Sequence, residues 1–187
     1  MKYFEKHPLP LVITGVVGVS LSAIFVRYSQ APSLITAAYR LIWTVLIMTP
    51  AVLANRKVID EIKNMKGRAL LLCAVSGIFL AFHFSLWFES LNLTSVASST
   101  AIVCTEVIWV ALGYCIFMKG HLVTKATVSI AITVAGSIVI AMADGSSGGN
   151  SLYGDFLALL SALFSTVYTL IGKQVRKDMS TTAYTFI

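Results

Sequence analysis

The chain is predicted to be an all-α, polytopic membrane protein, and three observations carry that prediction. Hydrophobic residues make up 57% of its 187 positions and charged residues only 12%, whereas a soluble domain is about a quarter charged. Mean hydropathy is +0.85, so too few polar groups exist to cover an aqueous surface. The apolar residues fall into runs of about 16 to 23, the length that carries a helix through roughly 30 Å of hydrocarbon. The net charge of +6 does not point to nucleic acid, because the basic residues form no patch among aromatics.

The segment Met1–Pro10 carries Lys2 and Lys6 and leads into an apolar run from Leu11 to Val26. Ser20–Ala23 resembles a loose cleavage site, but further hydrophobic runs follow, so this is read as a retained first span. Arg27–Pro32 is a turn, and Pro32 suits the first turn of a new helix, where its missing N–H costs nothing. The second span runs from Ser33 to Ala54 and holds Arg40; Pro50 should bend it near its far end. Asn55–Arg68 is the most charged segment, and the spacing of Val58, Ile59, Ile62 and Met65 predicts a short helix on the membrane surface.

The third span is Ala69–Ser90, followed by a polar break over Glu89–Ser95 and a fourth span, Val96–Met118, with Glu106 near its middle. Lys119–Lys125 is a small basic loop, and Ala126–Ala143 is the fifth span. Residues 144–153 form the only Gly/Ser-rich stretch and are expected to be a linker. A sixth span covers Asp155–Gly172. From Met179 to Ile187 a helix would climb only about 14 Å, so the chain is expected to be part of a longer protein with a seventh span just begun.

The loops fix an orientation. Twelve of the fourteen Lys/Arg residues fall in the N-terminal segment, the 55–68 segment, the 119–125 loop and the stretch after the sixth span. Arg27 alone lies on the other side, and Arg40 is inside a span. By the positive-inside rule the N-terminus is expected in the cytoplasm, with the chain in the cell membrane. Cys73, Cys104 and Cys115 all lie within apolar runs, offer no metal spacing, and are expected to be buried packing residues.

Five spans before the linker is an odd number, so a second set of five would run upside down relative to the first, as in inverted-repeat transporters. Leu21-Ser-Ala-Ile-Phe25 recurs as Leu160-Ser-Ala-Leu-Phe164, a faint internal echo. Four stretches together resemble the EamA-type members of the drug/metabolite transporter superfamily: Ser20–Arg40, Phe88–Val103, Val134–Ala141 and Gly154–Leu170. The resemblance implies ten helices in two inverted five-helix repeats that move small metabolites through a central cavity. On that reading residues 1–143 are the first EamA repeat, 144–153 an outer linker, and 154–187 the start of a truncated second repeat. The sequence departs from the family at Thr105-Glu106-Val107, where a proline is common, and at Lys119-Gly-His-Leu122.

No phosphate loop, HExxH, GxSxG or Cys/His metal cluster occurs, so no cofactor and no metal are expected. What remains is polar groups within the membrane. At 1.5 Å per residue from the outer surface, Arg40 lies about 11 Å deep, His83 about 10 Å and Glu106 about 15 Å. Each would be costly facing lipid, so they should face inward or one another. Arg40 could hold a substrate carboxylate, and Glu106 could exchange a proton or hold an amine; alternatively the two form a fixed pair that orients two helices. His83 could donate to a neighbouring carbonyl. Tyr39, Trp43, Trp87 and Trp109, with Phe82 and Phe84, could line an apolar pocket or face lipid. Small residues every four positions (Ala97, Ala101, Thr105; Ser161, Ser165, Thr169) suggest close helix contacts.

The function these features favour is secondary transport, by alternating access and in the export direction, of small organic metabolites such as amino acids or amphipathic compounds. The expected partners are that substrate, the lipid bilayer and protons. The alternative is a non-transport membrane protein, either an intramembrane enzyme or a scaffold. An enzyme would need a nucleophile–base pair or paired acids at one depth, and Glu106 is the lone acid there.

Overall fold

The computed structural model describes residues 8–143 and 151–187. These residues form helices α1 (Pro8–Tyr28), α2 (Ser33–Leu53), α3 (Arg56–Lys63), α4 (Gly67–Leu93), α5 (Val96–Cys104), α6 (Glu106–Met118), α7 (Thr124–Ala143), α8 (Ser151–Val175) and α9 (Thr181–Phe186), with no strand among the described residues. Four stretches are long and apolar enough to cross a membrane: Ser33–Leu53, Gly67–Leu93, Val96–Met118 and Leu152–Val175. Two further apolar stretches, Val12–Tyr28 and Thr124–Ile140, are shorter. Together they make a polytopic helical membrane protein. The outward faces are apolar, as lipid requires: Ile47, Phe117, Ile132 and Met142 are all largely exposed.

Hydroxyls within the spans follow the same constraint. Thr14, Ser20, Thr44, Thr49, Ser85, Ser129, Thr133 and Thr166 each donate to the carbonyl four residues earlier in their own helix. No water is available in the bilayer core, so each hydroxyl is satisfied inside its helix.

The expected polar break at Glu89–Ser95 narrows to Thr94–Ser95, because α4 continues to Leu93. The ends of this helix explain the solitary basic residue of that side. Arg27 donates from one guanidinium nitrogen to the carbonyl of Leu91 and, at 3.5 Å, to that of Thr94. A cation is thus placed on the last carbonyls of a helix C-terminus. Ser33 adds a second tie at this end by donating to Glu89 at 2.6 Å.

The fourth predicted span divides in two. Thr105 sits between α5 and α6 with its hydroxyl donating to the Ile102 carbonyl at 2.6 Å. At the far end of α6, Lys119 adopts the left-handed conformation (φ 49°) and lets the Gly120 N–H reach the Tyr114 carbonyl. The Gly/Ser-rich stretch mostly lies outside the described residues, and α8 already begins at Ser151 and runs to Val175, longer at both ends than predicted.

Helix α8 is the centre of the bundle, packed chiefly on α4 and also on α5 and α6. Its Ala158, Ser161 and Ala162 are fully buried. Small side chains on this face let the backbones approach. Gly154 lies so close to the end of α4 that a Cβ there would meet the Thr94 backbone nitrogen at 2.9 Å. The other main cluster is aromatic: Trp87, Phe88 and Leu91 of α4 bury against Ala23 of α1 and Ala37 of α2.

Two expectations are corrected by this packing. The apolar face of α3 rests on protein as well as any membrane surface: Val58 buries with Val52 of α2 and Ala183 of α9, flanked by Ile62 and Met179. Of the cysteines only Cys73 is buried; Cys104 and Cys115 are exposed on the outside of the bundle. An apolar run does not say which face of its helix turns inward, and in lipid both faces can be apolar.

Candidate functional site

Arg40, His83 and Glu106 lie on α2, α4 and α6, and Arg40 and Glu106 do not form a pair. Arg40 donates to the Ser22 hydroxyl at 2.8 Å. Its guanidinium lies over the Phe84 ring, 4.6 Å from the centroid, and 5.9 Å from that of Phe88. Stacking a weakly hydrated planar cation on aromatic faces is one of the few inexpensive ways to keep it within a membrane. Arg40 lines a cleft of about 570 Å³ between α1 and α2, which runs from the level of Gly18 to Ser29 and Thr36 at the α1–α2 turn.

Glu106 lies in a different cleft. It is the first residue of α6, so its carboxylate stands in the first turn of a helix, at the positive end of the dipole. Thr169 of α8 donates to it at 3.0 Å. The cleft here, about 480 Å³, lies between α6, α7 and α8, and extends to Tyr114, His121 and Lys173 at the opposite end of the bundle from the α1–α2 turn. Lys173 places its ammonium over the Tyr114 ring, 3.3 Å from the centroid.

His83 lies on α4 and lines neither of these two clefts. It is buried and locked to α8. The Ser161 hydroxyl donates to the His83 carbonyl at 2.9 Å and lies 2.8 Å from Nδ1. The Ser161 carbonyl lies 3.1 Å from the same nitrogen. Since the single hydroxyl hydrogen is committed to the carbonyl, both contacts of Nδ1 are satisfied together when Nδ1 carries the proton.

The predicted aromatics separate. Trp87 is buried (4% exposed) and stacks beside His83. Trp109 is half-buried, whereas Tyr39 and Trp43 are 61% and 59% exposed on the outer face of α2 and join neither cleft. The indole nitrogens of Trp87 and Trp109 and the Thr100 hydroxyl are buried without a hydrogen-bond partner. Such orphaned donors in a membrane bundle are the groups that a polar ligand or water would satisfy.

Several members of the site do not stand out in the sequence. Ser22, Ser161 and Thr169 read as small packing residues, and Tyr114, His121 and Lys173 read as part of the loop-proximal ends. The repeated Leu-Ser-Ala string held the available signal. Ser22 and Ser161 occupy matching places in it, each holds a nitrogen-bearing side chain, and Ala23 and Ala162 beside them are both buried.

Long apolar helices, an apolar exterior and two clefts that each carry a charged residue define a polytopic helical membrane protein. A family model described as the EamA-like transporter family matches residues 8–142, well over half of the chain. The chain belongs to that family, and so is a membrane transporter of small molecules. No curated protein and no solved structure matches it.

Proposed function

We propose that this protein is a secondary transporter that exports small organic metabolites, amino acids or related amphipathic compounds, across the cytoplasmic membrane by alternating access. The observation that supports it best is the division of charge between two separate clefts, one reaching the α1–α2 turn and the other the α6–α7 loop. Arg40 lines one and Glu106 the other. A substrate carboxylate would meet Arg40, and Glu106 would hold an amine or exchange a proton. Residues 1–143 are read as the first five-helix repeat, 144–153 as a linker and 154–187 as the opening of a second repeat. The N-terminus is placed in the cytoplasm by the positive-inside rule.

The test is flux in proteoliposomes with and without a pH gradient, comparing the wild type with Glu106→Gln. Transport is expected in the wild type, with its proton dependence lost in the variant. Proton-dependent flux that survives the substitution removes Glu106 as the coupling group. Single cysteines at Asn92 and Lys63, labelled from each face of intact cells, should react from opposite faces; reaction from one face would overturn the orientation.

A further inference from the structure

We propose that the cleft between the α3–α4 turn and the C-terminal end of α8 binds the headgroup of an anionic phospholipid, with Lys66 and Arg68 taking the phosphodiester. The site is separate from both clefts described above and holds whatever solute the protein moves.

Its walls come from two helix ends. Lys66, Arg68 and Leu72 at the start of α4 face Gln174, Val175 and Asp178 at the end of α8 across a cavity of about 270 Å³. A second hollow of about 400 Å³ shares Lys66, Val175 and Asp178 with it and reaches the end of α3. The apolar span of α4 begins at Gly67 and that of α8 ends at Val175, so the cleft stands where hydrocarbon gives way to headgroups. Its polarity follows the same gradient. Leu72 lies one turn beyond Arg68 on the same face of α4, and packs against the buried cluster of Cys73, Val175 and Tyr184.

The charges select the ligand. Lys66 and Arg68 are exposed, and among the described residues neither side chain has a hydrogen-bond or ion-pair partner, although Asp178 lines the same cleft. Two cations without an oxygen acceptor suit a phosphodiester, with the planar guanidinium able to grip two of its oxygens. Glu61, the other acid nearby, is already engaged by the Ser180 N–H at 2.9 Å. Arg56, Lys57, Lys63 and Lys177 are also exposed at this end of the bundle, so the surrounding field favours a net negative headgroup over a zwitterion. A glycerol headgroup adds hydroxyls that can donate to Asp178, whereas choline adds a quaternary ammonium with no N–H. A free phosphate ester would meet the cations but leave Leu72 and Val175 uncovered. The phospholipid meets both, its phosphate at the rim and its chains along α4.

Native mass spectrometry of the purified full chain in non-ionic detergent, titrated with dioleoyl phosphatidylglycerol, phosphatidylethanolamine or phosphatidylcholine, tests this directly. The wild type is expected to bind phosphatidylglycerol about tenfold or more tighter than either zwitterionic lipid. The double substitution Lys66→Gln/Arg68→Gln should remove that preference by weakening phosphatidylglycerol alone, and Lys66→Arg/Arg68→Lys should keep most of it. Lys57→Gln/Lys63→Gln takes the same charge from α3 outside the cleft and should leave most of the preference in place. All four side chains are exposed, so these changes spare the core. Equal binding of the three lipids overturns the proposal, as does a preference that survives Lys66→Gln/Arg68→Gln. An equal loss in Lys57→Gln/Lys63→Gln would reveal diffuse attraction to the basic surface and would also overturn it. Competition by glycerol phosphate as effective as that by the lipid would assign the cleft to a soluble phosphate ester instead.

Discussion

Ser161 and His83 are joined three times. The serine hydroxyl donates to the histidine carbonyl at 2.9 Å and stands 2.8 Å from its Nδ1, and the serine carbonyl lies 3.1 Å from the same nitrogen. The pair binds the helix that follows the family-matched region to the longest helix within it. It is a polar packing contact at the centre of the α4–α8 interface.

Ser161→Ala removes the hydroxyl that donates to the His83 carbonyl and stands beside Nδ1, while the residue-161 backbone carbonyl stays as an acceptor for Nδ1–H. The loss of the hydroxyl's hydrogen bonds costs about 0.5–1.5 kcal/mol, so thermal unfolding in detergent should fall measurably. Ser22→Ala should cost less, because Arg40 is only part-buried and keeps its stack on Phe84. A Ser22→Ala effect equal to or larger than that of Ser161→Ala would contradict the assignment.

Gly154 and Gly113 both face close neighbours, but only one should resist a side chain. A Cβ at Gly154 would meet backbone, the Thr94 nitrogen at 2.9 Å and the Leu93 carbonyl carbon at 3.0 Å. At Gly113 the obstacle is the tip of the Leu170 side chain, which can turn away. Gly154→Ala should cost about 1–3 kcal/mol, as overpacking does, and Gly113→Ala well under that, read by unfolding of the two variants side by side.

Arg40→Lys keeps the charge and loses the planar stack and the fork of donors. Flux at low substrate should fall by about tenfold, on the scale of one lost charge-assisted bond, with little change in unfolding temperature. Arg40→Gln should fall at least as far. A lysine variant that transports normally would show that charge alone is used.

At the other end of the bundle, Glu61 accepts the backbone N–H of Ser180 at 2.9 Å and thereby ties α3 to the start of α9. Hydrogen bonds from the Ser180 hydroxyl and then its N–H hold the Glu61 carboxyl below the usual carboxylate range. A carboxyl lowered in the folded state stabilises at pH above its unfolded value of about 4.3 and loses that stabilisation as pH falls through the folded value. Hydrogen exchange of the α9 amides should therefore quicken as pH drops below about 4, beyond the intrinsic change. In Glu61→Gln the protection should be low throughout and lack that step.

The spans were legible because lipid imposes a simple rule on composition, and the helices α1, α2, α4, α7 and α8 fall within a few residues of the apolar runs. Counting along those runs assigns Arg40, His83 and Glu106 to α2, α4 and α6. It does not give their azimuth. Nothing in an apolar helix says which way Arg40 turns, so a pair with Glu106 was as reasonable as the Ser22 contact it makes. Tyr39 and Trp43 were candidates for a pocket wall or for lipid, and both are largely exposed on α2. The division of the fourth span at Thr105 was hidden because threonine is tolerated in helices; only its hydroxyl turning to the Ile102 carbonyl ends the turn.

The central place of α8 has a bearing on biosynthesis. Ser76, His83, Ser90 and Ser99 are all buried, and Ser76 and His83 find partners on segments made after residue 150. Ser90 and Ser99 answer each other, but until the ribosome has released α8 the earlier helices hold the His83 imidazole and the Ser76 hydroxyl without these partners in the membrane. The first five spans should therefore linger near the insertion machinery, open and vulnerable to quality-control proteases, and close only when the sixth arrives.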